Sequence, residues 1–166
     1  MKEIEKEFYA HLGLLSIQSA RMEQMLHLIA AGLMAGDQFI SRTVIQNNNL
    51  NSNLDLIKKL NQFRHGDINN IQVNTVLTKI RAVQGQRNLF IHAVWREPNE
   101  VEGSIEITCS DMKVAFSENE RGKEWAEQTH YVFDIQDIKM KIEELKEIQE
   151  IEKSILEEIK GSSFYE

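Results

Sequence analysis

Proline occurs once in the 166 residues, at Pro98. The residue that breaks helix interiors and central strands is therefore missing from everything before it. In that stretch apolar side chains return at steps of three and four, the spacing of one helix face. Ile4, Phe8, Leu12, Leu15, Met22, Leu26, Ile29 and Leu33 predict a first helix from about Lys2 to Leu33. Gly36 is its expected stop. Asp37 is the expected cap of a short helix reaching Ile45. "QNNNLNSN", from Gln46 to Asn53, is a turn-rich connection. Ser52 or Asn53 then caps a helix carrying Leu54, Ile57, Leu60 and Phe63, which "RHGDINN" breaks. The next helix is expected from about Ile71 to Val94, through Val73, Val76, Leu77, Ile80 and Val83.

Beyond Pro98 the period changes. "SIEITCSDMKVAF" alternates, with Ile105, Ile107 and Cys109 on one strand and Val114 and Phe116 on the other, around a turn at Ser110-Asp111. That pattern predicts a β-hairpin. "SENERGKEWAEQ" follows as a charged loop, and "HYVF" adds a third strand. Asp134 caps a last helix, with Asp137 in its first turn and a stripe from Ile138 to Ile159. The expected fold class is mainly α: four main helices and a short one, with a β-containing insertion over about 99–133 before the last helix. A chain of this length is expected to form one domain over residues 1–166.

Cys109 is the sole cysteine, so no internal disulfide can form, in keeping with a reducing compartment. "MKEIEKEFYAHL" lacks the apolar core of a signal peptide. The longest nearly apolar run, "LIAAGLMAG", is too short to span a bilayer. A cytoplasmic protein without a membrane partner is expected. The net charge of −7 disfavours general adhesion to nucleic acid. The charge is unevenly spread. Lys58 to Arg96 sums to +6, and Glu97 to the end sums to −11. A local positive field can draw phosphate to the basic block of an acidic protein.

That basic block contains "QRNLFIHAVW", where Arg87, Asn88 and His92 interrupt an apolar stretch. On a helix Asn88 and His92, four apart, share a face. Arg87 and His92 differ by about 140° around the axis, which a long arginine side chain can span. Arginine offers a planar fork for a phosphodiester, and histidine exchanges a proton near neutral pH. Asparagine can orient either one. No carboxylate cluster or histidine–cysteine set accompanies them, so neither a metal nor another cofactor is expected. This set fits RNA cleavage by its own 2′-hydroxyl, with His92 moving the proton and Arg87 holding the developing charge. One histidine per chain is short of an acid and a base together. A two-fold dimer would bring a second histidine and arginine to the same cleft.

"RNLFIH" resembles the R-N-x-x-x-H form of the signature of the HEPN superfamily (higher eukaryotes and prokaryotes nucleotide-binding). The helix order is similar to that family's over most of the chain. The resemblance implies an all-α homodimer with a composite cleft and, for many members, metal-independent endoribonuclease activity in toxin–antitoxin, phage-defence or stress systems. It places Arg87 and His92 at the two catalytic positions and Asn88 at the polar position after the arginine. The implied partners are an RNA substrate and a cognate antitoxin or other protein. The alternative is a catalytically inactive HEPN-like dimer that binds a protein or a nucleotide.

Each residue also has a purely structural reading. Arg87 would pair with a carboxylate, and His92 would cap helix carbonyls near Pro98. Arg64, Lys79, Arg81 and Arg96 are candidate RNA contacts along a phosphate backbone, or a solvated face. Trp95 is a candidate base-stacking residue, or a cover for the end of the helices.

Overall fold

The computed structural model describes residues 2–34, 38–65, 70–101, 104–111, 116–119, 122–125 and 129–161. The protein is mainly helical, with a small antiparallel sheet before the last helix. Helices α1 (Glu3–Met34), α2 (Gln38–Gln46), α3 (Leu50–His65) and α4 (Asn70–His92) come first. Strands β1 (Val94–Trp95), β2 (Asn99–Val101), β3 (Ser104–Asp111), β4 (Phe116–Asn119), β5 (Gly122–Trp125) and β6 (Thr129–Asp134) follow, then α5 (Ile135–Gly161). The expected stop at Gly36 and cap at Asp37 lie outside the described residues. No described helix is long and apolar enough to cross a membrane.

The contacts sort into two compact units. The first comprises residues 1–16 and 85–142, and the second comprises 17–84 and 143–166.

In the first unit, β3 is the central strand of a four-stranded sheet. β6 runs along one edge, from Glu106↔Asp134 to Asp111↔Thr129. The other edge carries β2, through Asn99↔Glu106 to Val101↔Ser104, and then β1, through Trp95↔Cys109 and Val94↔Ser110. Arg96 N donates to Thr108 O at 2.9 Å between those two segments. Pro98 falls on this interrupted edge, where its missing N–H costs no ladder bond.

The sheet corrects the expected hairpin. β3 continues through the anticipated turn at Ser110-Asp111, and both residues pair with β6. Val114 lies outside the described residues. Phe116 starts a separate hairpin, β4 with β5, in which Phe116 pairs with Trp125. Charged side chains from Ser117 to Glu124 masked that hairpin. They alternate with no apolar face, so the period-two signal was absent. α4 also stops sooner than expected. It ends at His92, and Val94 and Trp95 become strand. Both are β-favouring residues, and pairing with β3 offers them ladder bonds that a frayed last turn would lack.

The core of the first unit is aromatic. Phe8, Phe90, Ile107, Cys109, Ile135, Ile138 and Ile142 are buried. The Phe90 and Phe133 rings meet edge-on at 4.8 Å and 77°, and Phe8 meets Trp95 at 5.3 Å and 64°. Such pairs add about 0.5–1.5 kcal/mol beyond their burial. α5 starts with a reciprocal cap. Gln136 N donates to Asp134 Oδ1 at 2.7 Å, and Asp134 N donates to Asp137 Oδ2 at 2.9 Å. Two of the orphan amides of the first turn are thus satisfied.

The second unit buries the rest of the α1 stripe (Met22, Leu26, Ile29, Leu33) with Leu54, Ile57, Val76, Ile80, Leu145, Ile148 and Ile155. α3 begins one turn earlier than expected because Asn49, not Ser52, caps it: Ser52 N donates to Asn49 Oδ1 at 2.9 Å. Polar ties join the helices. Asn53 Nδ2 donates to Ile45 O at 3.3 Å and meets His27 Nε2 at 3.2 Å. Gln149 Nε2 donates to Gln18 O at 2.9 Å. Glu152 is fully buried, and among the described residues neither carboxyl oxygen has a hydrogen-bond partner.

Candidate functional site

The C-terminal turns of α4 position Arg87, Asn88 and His92. Phe90, between them, is fully buried and fixes the roll of the helix. Its partner Phe133 lies on the sheet face that also carries Cys109 and Tyr131 in register. The residues on either side of Phe90 around the helix are therefore held at the boundary with β6.

An open cleft of about 400 Å³ lies there. Asn88 and His92 line it, one turn apart, as the four-residue spacing requires. Gln86 and Leu89 add to the helix side, with Gly85 at one end and Ala93 at the other. Tyr131 closes the wall contributed by β6. The His92 side chain is exposed and makes no hydrogen bond or ion pair with a described residue. It does not cap the helix end.

Arg87 does not line the cleft. Its side chain is half-buried, and Nη1 donates to Asn88 Oδ1 at 2.8 Å. The bond leaves Nδ2 as the donor end of the Asn88 amide. Arg87 holds Asn88, and Asn88 shares the cleft with His92.

The remaining sequence candidates fall elsewhere. Trp95 belongs to the aromatic core. Its Nε1 donates to Phe90 O at 2.9 Å, and its ring meets those of Phe8, Phe90 and Phe133. A ring engaged on these sides is not a platform for a base. Lys79 pairs with Glu147 at 3.6 Å, and Arg81 pairs with Asp55. Both belong to the second unit. Arg96 has an exposed side chain. The Arg64 side chain lies outside the described residues.

Tyr131 was not found from sequence. It stands thirty-nine positions after His92, in a strand whose register only pairing with β3 sets. No local motif could have joined the two. A second imidazole, His130, points to the other sheet face, where its Nδ1 meets Ser110 Oγ at 2.9 Å. The two are cross-strand neighbours. The bond ties β3 to β6 and does not reach the cleft-lining set. Among the described residues no group of three metal-ligating side chains occurs.

The cleft thus combines a titratable imidazole, two amides, a phenol and a small apolar floor. It can accept or donate a proton and hold a planar polar group. Compared with known proteins, the chain matches no family model, no curated protein and no solved structure.

Proposed function

We propose that the protein is a metal-independent endoribonuclease of the HEPN type, working as a homodimer. One observation carries this reading: Asn88 and the exposed imidazole of His92, which has no partner among the described residues, share an open cleft at the end of α4, with Arg87 bonded to Asn88. His92 takes the proton from a ribose 2′-hydroxyl. The 2′-oxygen then attacks the adjacent phosphorus, and the bond to the 5′-oxygen breaks. The products are a 2′,3′-cyclic phosphate and a 5′-hydroxyl, whose proton a second imidazole supplies from the partner chain. Arg87 stabilises the developing charge on phosphorus-bound oxygen, which requires its guanidinium to turn from Asn88 when substrate binds. A toxin or phage-defence effector acting in the cytoplasm, restrained by an antitoxin or another protein, fits such an activity.

The test is cleavage of RNA by purified protein and by His92→Ala, both shown folded by circular dichroism. The expected result is cleavage that persists in EDTA, leaves cyclic phosphate ends and falls at least about hundredfold in the variant. Equal activity of the two proteins, or none in either, rejects the proposal.

A second reading has its own support. Arg87 faces Asn88 and not the cleft, and Lys79 and Arg81 are each matched by an acid. Those features suit a HEPN-like dimer that binds a partner protein or nucleotide without cutting it.

A further inference from the structure

Gly85 sits inside α4, where a glycine costs about 1 kcal/mol relative to alanine. Within a fold that cost is usually offset by close approach of a neighbour, which a side chain would block. Among the described residues there is no such neighbour, because a Cβ on Gly85 would meet nothing within 4 Å. The missing side chain serves no packing need of the described chain. What it does is leave open one end of the cleft that Asn88, His92 and Tyr131 line.

The chemistry of that cleft narrows the occupant. Among the described lining residues there is no carboxylate, lysine or arginine, so a bare cation or a phosphate alone finds little there to hold it. Tyr131 is 36 % exposed. Its ring runs parallel to that of Phe133 (17°, centroids 6.3 Å apart), which restrains it from behind. A restrained, accessible aromatic ring beside amide groups is the arrangement on which single-stranded nucleic acids stack their bases. Asn88 offers its Nδ2 hydrogens to a base carbonyl or ring nitrogen whether Arg87 stays on Oδ1 or turns to the phosphate. Gln86 can donate or accept. A volume of about 400 Å³ lies in the range of small-ligand sites.

We infer that this cleft seats one nucleobase of single-stranded RNA, stacked on Tyr131 and admitted past Gly85. The inference rests on the ribonuclease reading, since it places the base beside the imidazole that moves the proton. Tyr131 is then the residue that sets which phosphodiester lies at His92.

Binding can be separated from cutting. The probe is a fluorescently labelled single-stranded deoxyoctanucleotide, which lacks the attacking hydroxyl. The wild type is expected to bind it. Tyr131→Ala weakens binding about ten- to hundredfold, the worth of one stacked base. Tyr131→Phe keeps it within about threefold, because the ring remains. Gly85→Leu, a change in open space that leaves the core untouched, weakens binding as Tyr131→Ala does. Absence of wild-type binding overturns the inference, as does wild-type affinity in Gly85→Leu or in folded Tyr131→Ala. Cleavage of the matching RNA is scored separately. A bound but uncut RNA leaves the base seat standing and removes the nuclease. RNA cut in a His92-dependent manner, with binding unchanged in the two variants, does the reverse.

Discussion

Arg87 and Asn88 are chain neighbours whose side chains bond to each other, Nη1 to Oδ1 at 2.8 Å. Adjacent residues on a helix normally diverge by 100°. The bond therefore bends the guanidinium around the helix toward the asparagine, and a charged donor bonded to an amide is worth about 1.5–3 kcal/mol when both are shielded. Half exposure reduces this to about 1 kcal/mol. A double-mutant cycle over Arg87→Ala, Asn88→Ala and the pair, read by urea unfolding, is expected to show that coupling. Additive single effects would mean that the two side chains act independently.

Trp95 makes the opposite kind of contribution. Its ring packs on three phenylalanines, and its N–H satisfies the Phe90 carbonyl. Trp95→Ala is expected to cost about 3 kcal/mol, in the range of large-to-small aromatic changes. Trp95→Phe keeps a ring but strands the carbonyl, for a loss of about 1 kcal/mol. Denaturant midpoints of the two variants test the order. A Trp95→Ala protein as stable as the wild type would place the ring outside the core.

These two residues show what was legible in the sequence and what was not. The helices followed from apolar spacing. Asp134 and Asp137 read directly as a helix start because both partners of that cap are local. Asn88 and His92 likewise shared a cleft because four residues are one turn. Strand pairing did not follow, since nothing between Ser104 and Asp134 announces that β3 pairs with β6 and not with the next segment. The covered position of Trp95 and the exposed one of Tyr131 were hidden for the same reason. Which aromatic residue is covered and which is open depends on register, a non-local property. The direction of Arg87 was hidden because a long side chain has several reachable partners.

Gly85→Ala should stabilise the protein. The position is helical, and the added methyl has open space. Removing a helix-interior glycine returns about 0.5–1 kcal/mol through the unfolded chain. A matching rise in the urea midpoint is expected, with no change in the slope of the transition. A fall would reveal a neighbour for Gly85 in the assembled protein, such as the second chain of a dimer.

Glu152 provides the pH dependence. It is fully buried in α5 without a hydrogen-bond partner among the described residues, and burial raises its pKa from 4.5 to about 9. Below pH 4.5 the carboxyl is protonated in the folded and unfolded chains alike, and the group adds no pH term. Between 4.5 and about 9 the unfolded chain releases the proton while the folded chain keeps it. The unfolded state binds fewer protons, so stability falls as pH rises, by up to about 1.4 kcal/mol per pH unit for this group. Glutamine has the same shape and cannot ionise. Glu152→Gln is therefore expected to match the wild type near pH 4.5 and to exceed it by a few kcal/mol at pH 8. Urea unfolding of both proteins at the two pH values decides it. The prediction fails if the stability difference between them stays constant across that range, because the Glu152 carboxyl would then titrate alike in the folded and unfolded chains.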